Sequence, residues 1–190
     1  MNAQGFALFE TSLGHCAIAW GALGIVGVQL PEADEGRTRA RMQRRFAGAK
    51  EQPPTPEAQQ AIDGIVALLA GQAIDLSAVP LDMSATPAFH RRVYEIARGI
   101  ASGSTLTYGQ VAARLGDPGL AREVGQALGR NPFAIVVPCH RVLAADGRLG
   151  GFSAGGGPAT KRRLLLIEGA RSSVEPGLFD DLPDGSARRA

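Results

Sequence analysis

Apolar residues alternate over the first thirty positions and recur at spacings of three and four through most of the remaining chain. That switch of period commits the 190-residue chain to a strand-rich start and a helical remainder. Alternating runs over 6–9, 16–20 and 25–29, separated by glycines, predict three strands joined by tight turns. A helix is expected over 33–46, with Arg37, Arg41, Arg44 and Arg45 spaced along an exposed face. Pro53-Pro54-Thr55-Pro56 is a break before a second helix over 57–70. Residues 1–84 therefore make a small α/β N-terminal domain, a sheet with helices.

The second segment, 85–171, is mainly α. Thr86 is the expected N-cap of a helix that has Pro87 in its first turn and Phe89, Val93, Ile96 and Ala97 inward. A helix over 107–115, a turn at Gly116-Asp117 and a helix over 118–128 give a helix-turn-helix-like pattern. Gly147, Gly150 and Gly151 suggest a hairpin or wing, which makes the expectation winged helix-turn-helix-like. A closing helix over 161–168 turns Leu164, Leu165 and Ile167 inward. Residues 172–190, polar and bearing Pro and Gly, read as a loosely ordered tail.

Charge divides along the same boundary. Residues 1–84 hold six Arg/Lys against nine Asp/Glu, and residues 85–171 hold twelve against five. A basic second segment attracts polyanions, although a solvated basic face reads the same way. Two cysteines far apart, Cys16 and Cys139, give no disulfide framework and point to a reducing, cytoplasmic setting. No secretory start is visible, and the most apolar stretch, 17–30, is too short for a bilayer.

Several motifs reduce to ordinary structure. Gly155-Gly156-Gly157-Pro158-Ala159-Thr160-Lys161 lacks the glycine before the lysine and the hydroxyl residue after it that a phosphate loop needs. His15-Cys16 and Cys139-His140 are adjacent pairs without zinc-ligand spacing, so no metal is expected. Cys16 falls at an inward strand position, as buried free cysteines do. His90, flanked by two arginines, reads as a surface residue. Val136-Val137-Pro138-Cys139-His140-Arg141-Val142 is different: a cysteine beside a histidine, entered through proline, suits a nucleophile on a rigid turn.

Six blocks in order carry a resemblance: Tyr108-Gly109; Arg122 with Val124-Gly125; Asn131-Pro132; Pro138-Cys139-His140-Arg141-Val142; Gly150-Gly151-Phe152-Ser153; and Lys161 with Leu164-Leu165 and Glu168-Gly169. Together they resemble the O6-alkylguanine-DNA alkyltransferases, or methylated-DNA–protein-cysteine methyltransferases. The match is dense over 87–170 and weaker over 1–85.

The resemblance implies direct, single-turnover transfer of an alkyl group from O6-alkylguanine, and from O4-alkylthymine, in double-stranded DNA to Cys139. It implies His140 as base, Glu168 as the group orienting it, Tyr108 as proton donor to the departing base and Asn131 as a brace for the turn. Val142, Phe152 and Ser153 would line the base pocket. The second helix of the pair would enter the minor groove, Arg122 filling the gap left by a rotated base, with Ala121, Gly125 and Ala127 allowing close approach. No cofactor and no membrane are implied, and the acting species would be a monomer. Glu123, where the family often has alanine, Phe152, where it often has tyrosine, and a longer stretch over 154–160 depart from the pattern. Two other classes remain open. A non-catalytic lesion-binding protein would lack the cysteine, and a winged-helix regulator would need sequence-reading polar side chains where Ala121, Gly125 and Ala127 stand.

Overall fold

The computed structural model describes residues 3–152 and 155–170. β1 (Gly5–Thr11), β2 (Gly14–Gly21) and β3 (Gly24–Gln29) form where alternation predicts them, as an antiparallel meander. A short β4 (Lys50–Glu51) adds in parallel to β1, giving the order β3-β2-β1-β4. Gly24 turns the second hairpin at φ +124°, and a Cβ there would press into the Pro80 carbonyl.

Both faces of this sheet are buried. Phe6, Ala17, Ala19 and Val26 pack with Met42 and Phe46 of α1 (Glu35–Arg45) and its C-cap. Ala7, Cys16, Ile18, Trp20, Ile25 and Val28 face the larger core. Ile25 and Val28, three apart, share that face because the register shifts opposite Ala19/Trp20, where Val26 is the extra residue of a bulge. Helix α2 (Pro56–Leu69) starts at Thr55, whose side chain caps the Ala58 N–H, with Pro56 in its first turn.

Among the described residues four α-helices follow, with a short strand pair between them. The N-cap of α3 (Ala88–Arg98) is Pro87, without a side-chain bond, rather than the expected Thr86. Pro87 is still extended, at φ −55° and ψ 145°, so Thr86 lies one residue too early to reach the first-turn N–H groups. The inward face of α3 includes Tyr94, whose hydroxyl donates to the Ala127 carbonyl at 2.9 Å and whose ring meets Phe133 edge-on at 6.4 Å. Helix α4 (Tyr108–Arg114) begins in a capping box between Thr107 and Gln110. A 3₁₀ turn, Pro118–Leu120, leads into α5 (Ala121–Gly129). β5 (Leu106–Thr107) pairs in parallel with β6 (Val142–Leu143), and α6 (Gly157–Ile167) closes the structure.

The hairpin or wing expected from the glycines after β6 is a tight turn, with the Ala144 N–H on the Arg148 carbonyl at 2.9 Å, and no strand pair forms there among the described residues. One core cluster runs through both segments, from Ile18 and Ile65 to Val93, Phe133 and Leu164. Val28 N–H and Arg45 Nη2 both donate to the Pro132 carbonyl, at 2.9 and 3.0 Å, and Arg163 reaches the Ser12 carbonyl at 2.6 Å. Residues 1–84 are thereby tied directly to the turn that precedes Cys139. Among the described residues no helix is long and apolar enough to cross a membrane. The expected tail, 172–190, lies outside the described residues.

Candidate active site

Cys139 opens a 3₁₀ turn, Cys139–Arg141, on the far side of Pro138. The approach is tightly constrained. Ile135 sits at φ +72°, a left-handed conformation that costs a β-branched residue on the order of 1–3 kcal/mol. The turn holds it there through Val136 N–H on Ala134 O at 2.9 Å and Val137 N–H on Phe133 O at 2.8 Å. Asn131 braces the turn: its amide nitrogen donates to Val137 O at 2.8 Å and its oxygen accepts from Phe133 N–H at 2.9 Å.

The thiol lines a cavity of about 580 Å³ together with Tyr108, Ala121, Arg122, Gly125 and Phe152. That volume suits a small-molecule or base-sized group. Burial pushes the Cys139 thiol up. Four groups pull it down: Asn131, the Lys161 ammonium and the N–H groups of Cys139 and His140. A thiolate formed here would rest on those four, because burial opposes it.

Behind the thiol, His140 is buried, and its Nε2 lies 2.9 Å from Glu168 Oε1. Facing a carboxylate, Nε2 carries the ring proton and donates it, which leaves Nδ1 as the basic atom. Nδ1 has no hydrogen bond to another described group. Burial lowers the His140 pKa, so the ring is neutral at pH 7 and able to take a proton. Glu168 also receives both arms of Arg141, Nε on Oε2 and Nη2 on Oε1, each at 2.9 Å. Burial pushes the Glu168 carboxyl up, but the hydrogen bonds from His140 and Arg141 outweigh it and hold the group at about 2. Arg141 Nη1 is anchored on the Ile100 carbonyl.

Lys161 is fully buried, with Nζ donating to the Val142 carbonyl at 2.7 Å and standing 5.8 Å from the Tyr108 ring centroid. Burial lowers its pKa to about 8, while the Cys139 charge pulls the other way. Tyr108 is itself shifted upward, first by burial and then by Cys139, so its phenol stays protonated. Replacing Lys161 with Met is expected to move the pH profile of Cys139 alkylation by iodoacetamide upward. An unshifted profile would show that the ammonium does not act on the sulfur.

The expected site residues divide clearly. Cys139, Tyr108, Ala121, Arg122, Gly125 and Phe152 share one cavity, and Asn131, His140 and Glu168 support it from behind. Val142, whose backbone is the expected pocket element, is buried; its carbonyl accepts from Lys161 Nζ, and Val142 is not among the residues that border the cavity. Ala127 corrects the expectation of a surface contact. It falls on the same helical side as Val124 and Leu128, is fully buried, and its carbonyl takes the Tyr94 hydroxyl. Ser153 lies outside the described residues. Sequence reasoning assigned no role to Arg141 or Lys161. A lysine three and four residues before the inward Leu164 and Leu165 was the available signal for Lys161.

Residues 88–170 match the family model described as the 6-O-methylguanine DNA methyltransferase DNA-binding domain. A Mycobacterium tuberculosis protein named methylated-DNA–protein-cysteine methyltransferase is 44% identical over 120 residues, 63% of this chain and 70% of that protein. The chain belongs to the methylated-DNA–protein-cysteine methyltransferase family. Another methylated-DNA–protein-cysteine methyltransferase, from Methanothermobacter thermautotrophicus, is 42% identical over 116 residues, 61% of this chain and 64% of the relative. Among solved structures, the M. tuberculosis alkyltransferase in complex with DNA superposes with a TM-score of 0.70 at 30% identity, covering 87% of this chain and 92% of that one. The O6-methylguanine-DNA methyltransferase of Pyrococcus kodakaraensis gives 0.67 at 27% identity, covering 87% and 99%. This methyltransferase chain thus shares the fold over both of its segments, beyond the residues that the domain model matches.

Proposed function

We propose that this methyltransferase repairs DNA by moving the alkyl group of O6-alkylguanine, and of O4-alkylthymine, onto Cys139, once per molecule. The observation that carries the reading is a shared cavity: the nucleophile, a protonated phenol and the first turns of α5 all border it. The Cys139 sulfur attacks the alkyl carbon, a C–S bond forms, and the bond from that carbon to O6 breaks. The thiol proton passes to His140 Nδ1 through water, and Glu168 balances the imidazolium. Tyr108 donates its phenolic proton to the departing base, whose negative charge otherwise opposes leaving. That proton is restored from His140, so the net transfer exchanges alkyl for hydrogen and needs no cofactor.

A stacked base cannot reach a thiol inside the protein, so the nucleotide rotates out of the duplex. The α4–α5 pair acts as a helix-turn-helix whose second helix lies in the minor groove. Ala121 and Gly125 let its backbone approach, and exposed Arg122 fills the vacated stack. The protein would act as a cytoplasmic monomer. Duplex DNA carrying labelled O6-methylguanine tests this directly: label should accumulate on the protein to one equivalent and stop. Continued turnover or no transfer would reject it. Tyr108→Phe should slow single-turnover transfer roughly a hundredfold while leaving DNA affinity nearly unchanged. An unaltered rate would remove Tyr108 from the reaction.

A further inference from the structure

A second cavity, of about 260 Å³, meets the first at Gly129, Cys139 and Phe152. Its chemistry is different. Arg41 and Arg45 of α1 border it, as does Arg130, the C-cap of α5, and among the described residues no carboxylate does. Only part of this charge is satisfied. Arg41 pairs with Glu32 at 3.1 Å, and Arg45 spends one arm on the Pro132 carbonyl at 3.0 Å. Arg130, an exposed residue, has no hydrogen bond or ion pair to another described side chain. Burial, then repulsion from Arg41, lowers the Arg45 pKa.

We propose that this cavity is a phosphodiester site, holding a backbone phosphate of the strand whose base occupies the first cavity. A nucleotide is an apolar-faced ring joined to an anion, and the two adjoining cavities offer an aromatic-walled space and an arginine-walled one. Guanidinium groups suit phosphate because their fork matches two of its oxygens. The site makes the N-terminal segment part of the DNA contact, through α1, and gives a role to two arginines of its exposed stripe, Arg41 and Arg45. The inference rests on the DNA alkyl-transfer reading.

The test is the salt dependence of binding to an O6-methylguanine duplex, measured in a Cys139→Ala background so that no transfer intervenes. Adding Arg41→Ala with Arg130→Ala should reduce the slope of log K against log salt by about 0.9, the share of one neutralised phosphate. Arg39→Ala, which removes the same charge from α1 but lies outside the cavity, should leave the slope unchanged. An unchanged slope in the double variant overturns the site, as does an equal loss from Arg39→Ala. Inorganic phosphate alone is the second arm. Thermal stabilisation by phosphate in the parent, abolished in the double variant, with no change of DNA slope, would make the cavity a free-anion site and reject the DNA assignment. Label transfer by the wild-type chain is run alongside. Its absence would sink the transfer reading itself, whereas transfer with an unaltered slope sinks only the phosphate site.

Discussion

Cys139→Ala is expected to abolish alkyl transfer completely while leaving affinity for a duplex containing O6-methylguanine within a few fold of wild type. The first half follows from chemistry: the acceptor atom is gone, and Cys16 is fully buried in the core with its thiol pushed up to about 12 by burial. The second half follows from geometry. The cavity walls made by Tyr108, Arg122 and Phe152 do not depend on the sulfur, and losing one polarisable atom enlarges the space slightly. Single-turnover label transfer and a binding titration on the same duplex check both. Residual transfer would place the acceptor elsewhere.

Glu168→Gln should cost on the order of 3–5 kcal/mol of stability, because it leaves the Arg141 guanidinium buried without its counter-charge. The side chains of Glu168 and His140 are almost wholly shielded, so solvent screening recovers little. The pH dependence has a definite sign. A carboxyl at about 2 in the folded protein and near 4.5 in the unfolded chain binds fewer protons when folded. Its stabilising contribution is present above pH 4.5 and is lost as pH falls from there toward 2, a total of about 3 kcal/mol. His140 acts in the same direction: its folded pKa is below the ordinary 6.5, so stability also begins to fall as pH drops below 6.5. Urea midpoints taken at descending pH should therefore decline in wild type, and the limb below pH 4.5 should be shallower in Glu168→Gln, the remainder coming from His140 and from Asp75, Asp82 and Asp146, whose hydrogen bonds also lower their pKa values. Parallel acid limbs in the two proteins would mean that the carboxylate does not hold the network.

The strands were legible because alternation has one structural solution, and Phe6, Ile18 and Val28 fall where it puts them. The bulge at Val26 was not, since a one-residue register shift leaves the apolar pattern intact on a sheet buried on both sides. Thr86 shows the limit of local capping rules: a hydroxyl residue before proline looks like a cap, but the proline takes that position itself. Ala127 failed for a different reason. Small residues satisfy both a close surface approach and a tight helix crossing, and only the fold shows that the Tyr94 hydroxyl claims its carbonyl. Within the site, the nucleophile and its histidine stood out as an adjacent pair. The carboxylate that serves both His140 and Arg141 lies 28 and 27 positions away, and only the family resemblance pointed to it. Neither strain at Ile135 nor the convergence of Val28 and Arg45 on Pro132 leaves any mark in composition or periodicity.

The most direct measurement is the intact mass of the protein, then that of its Cys139 peptide, after incubation with excess O6-methylguanine duplex. A gain of a single methyl group confined to that peptide, reached once and never exceeded, is the predicted result. An unmodified Cys139 in a folded, DNA-bound protein, or a methyl group found on another residue, would contradict it.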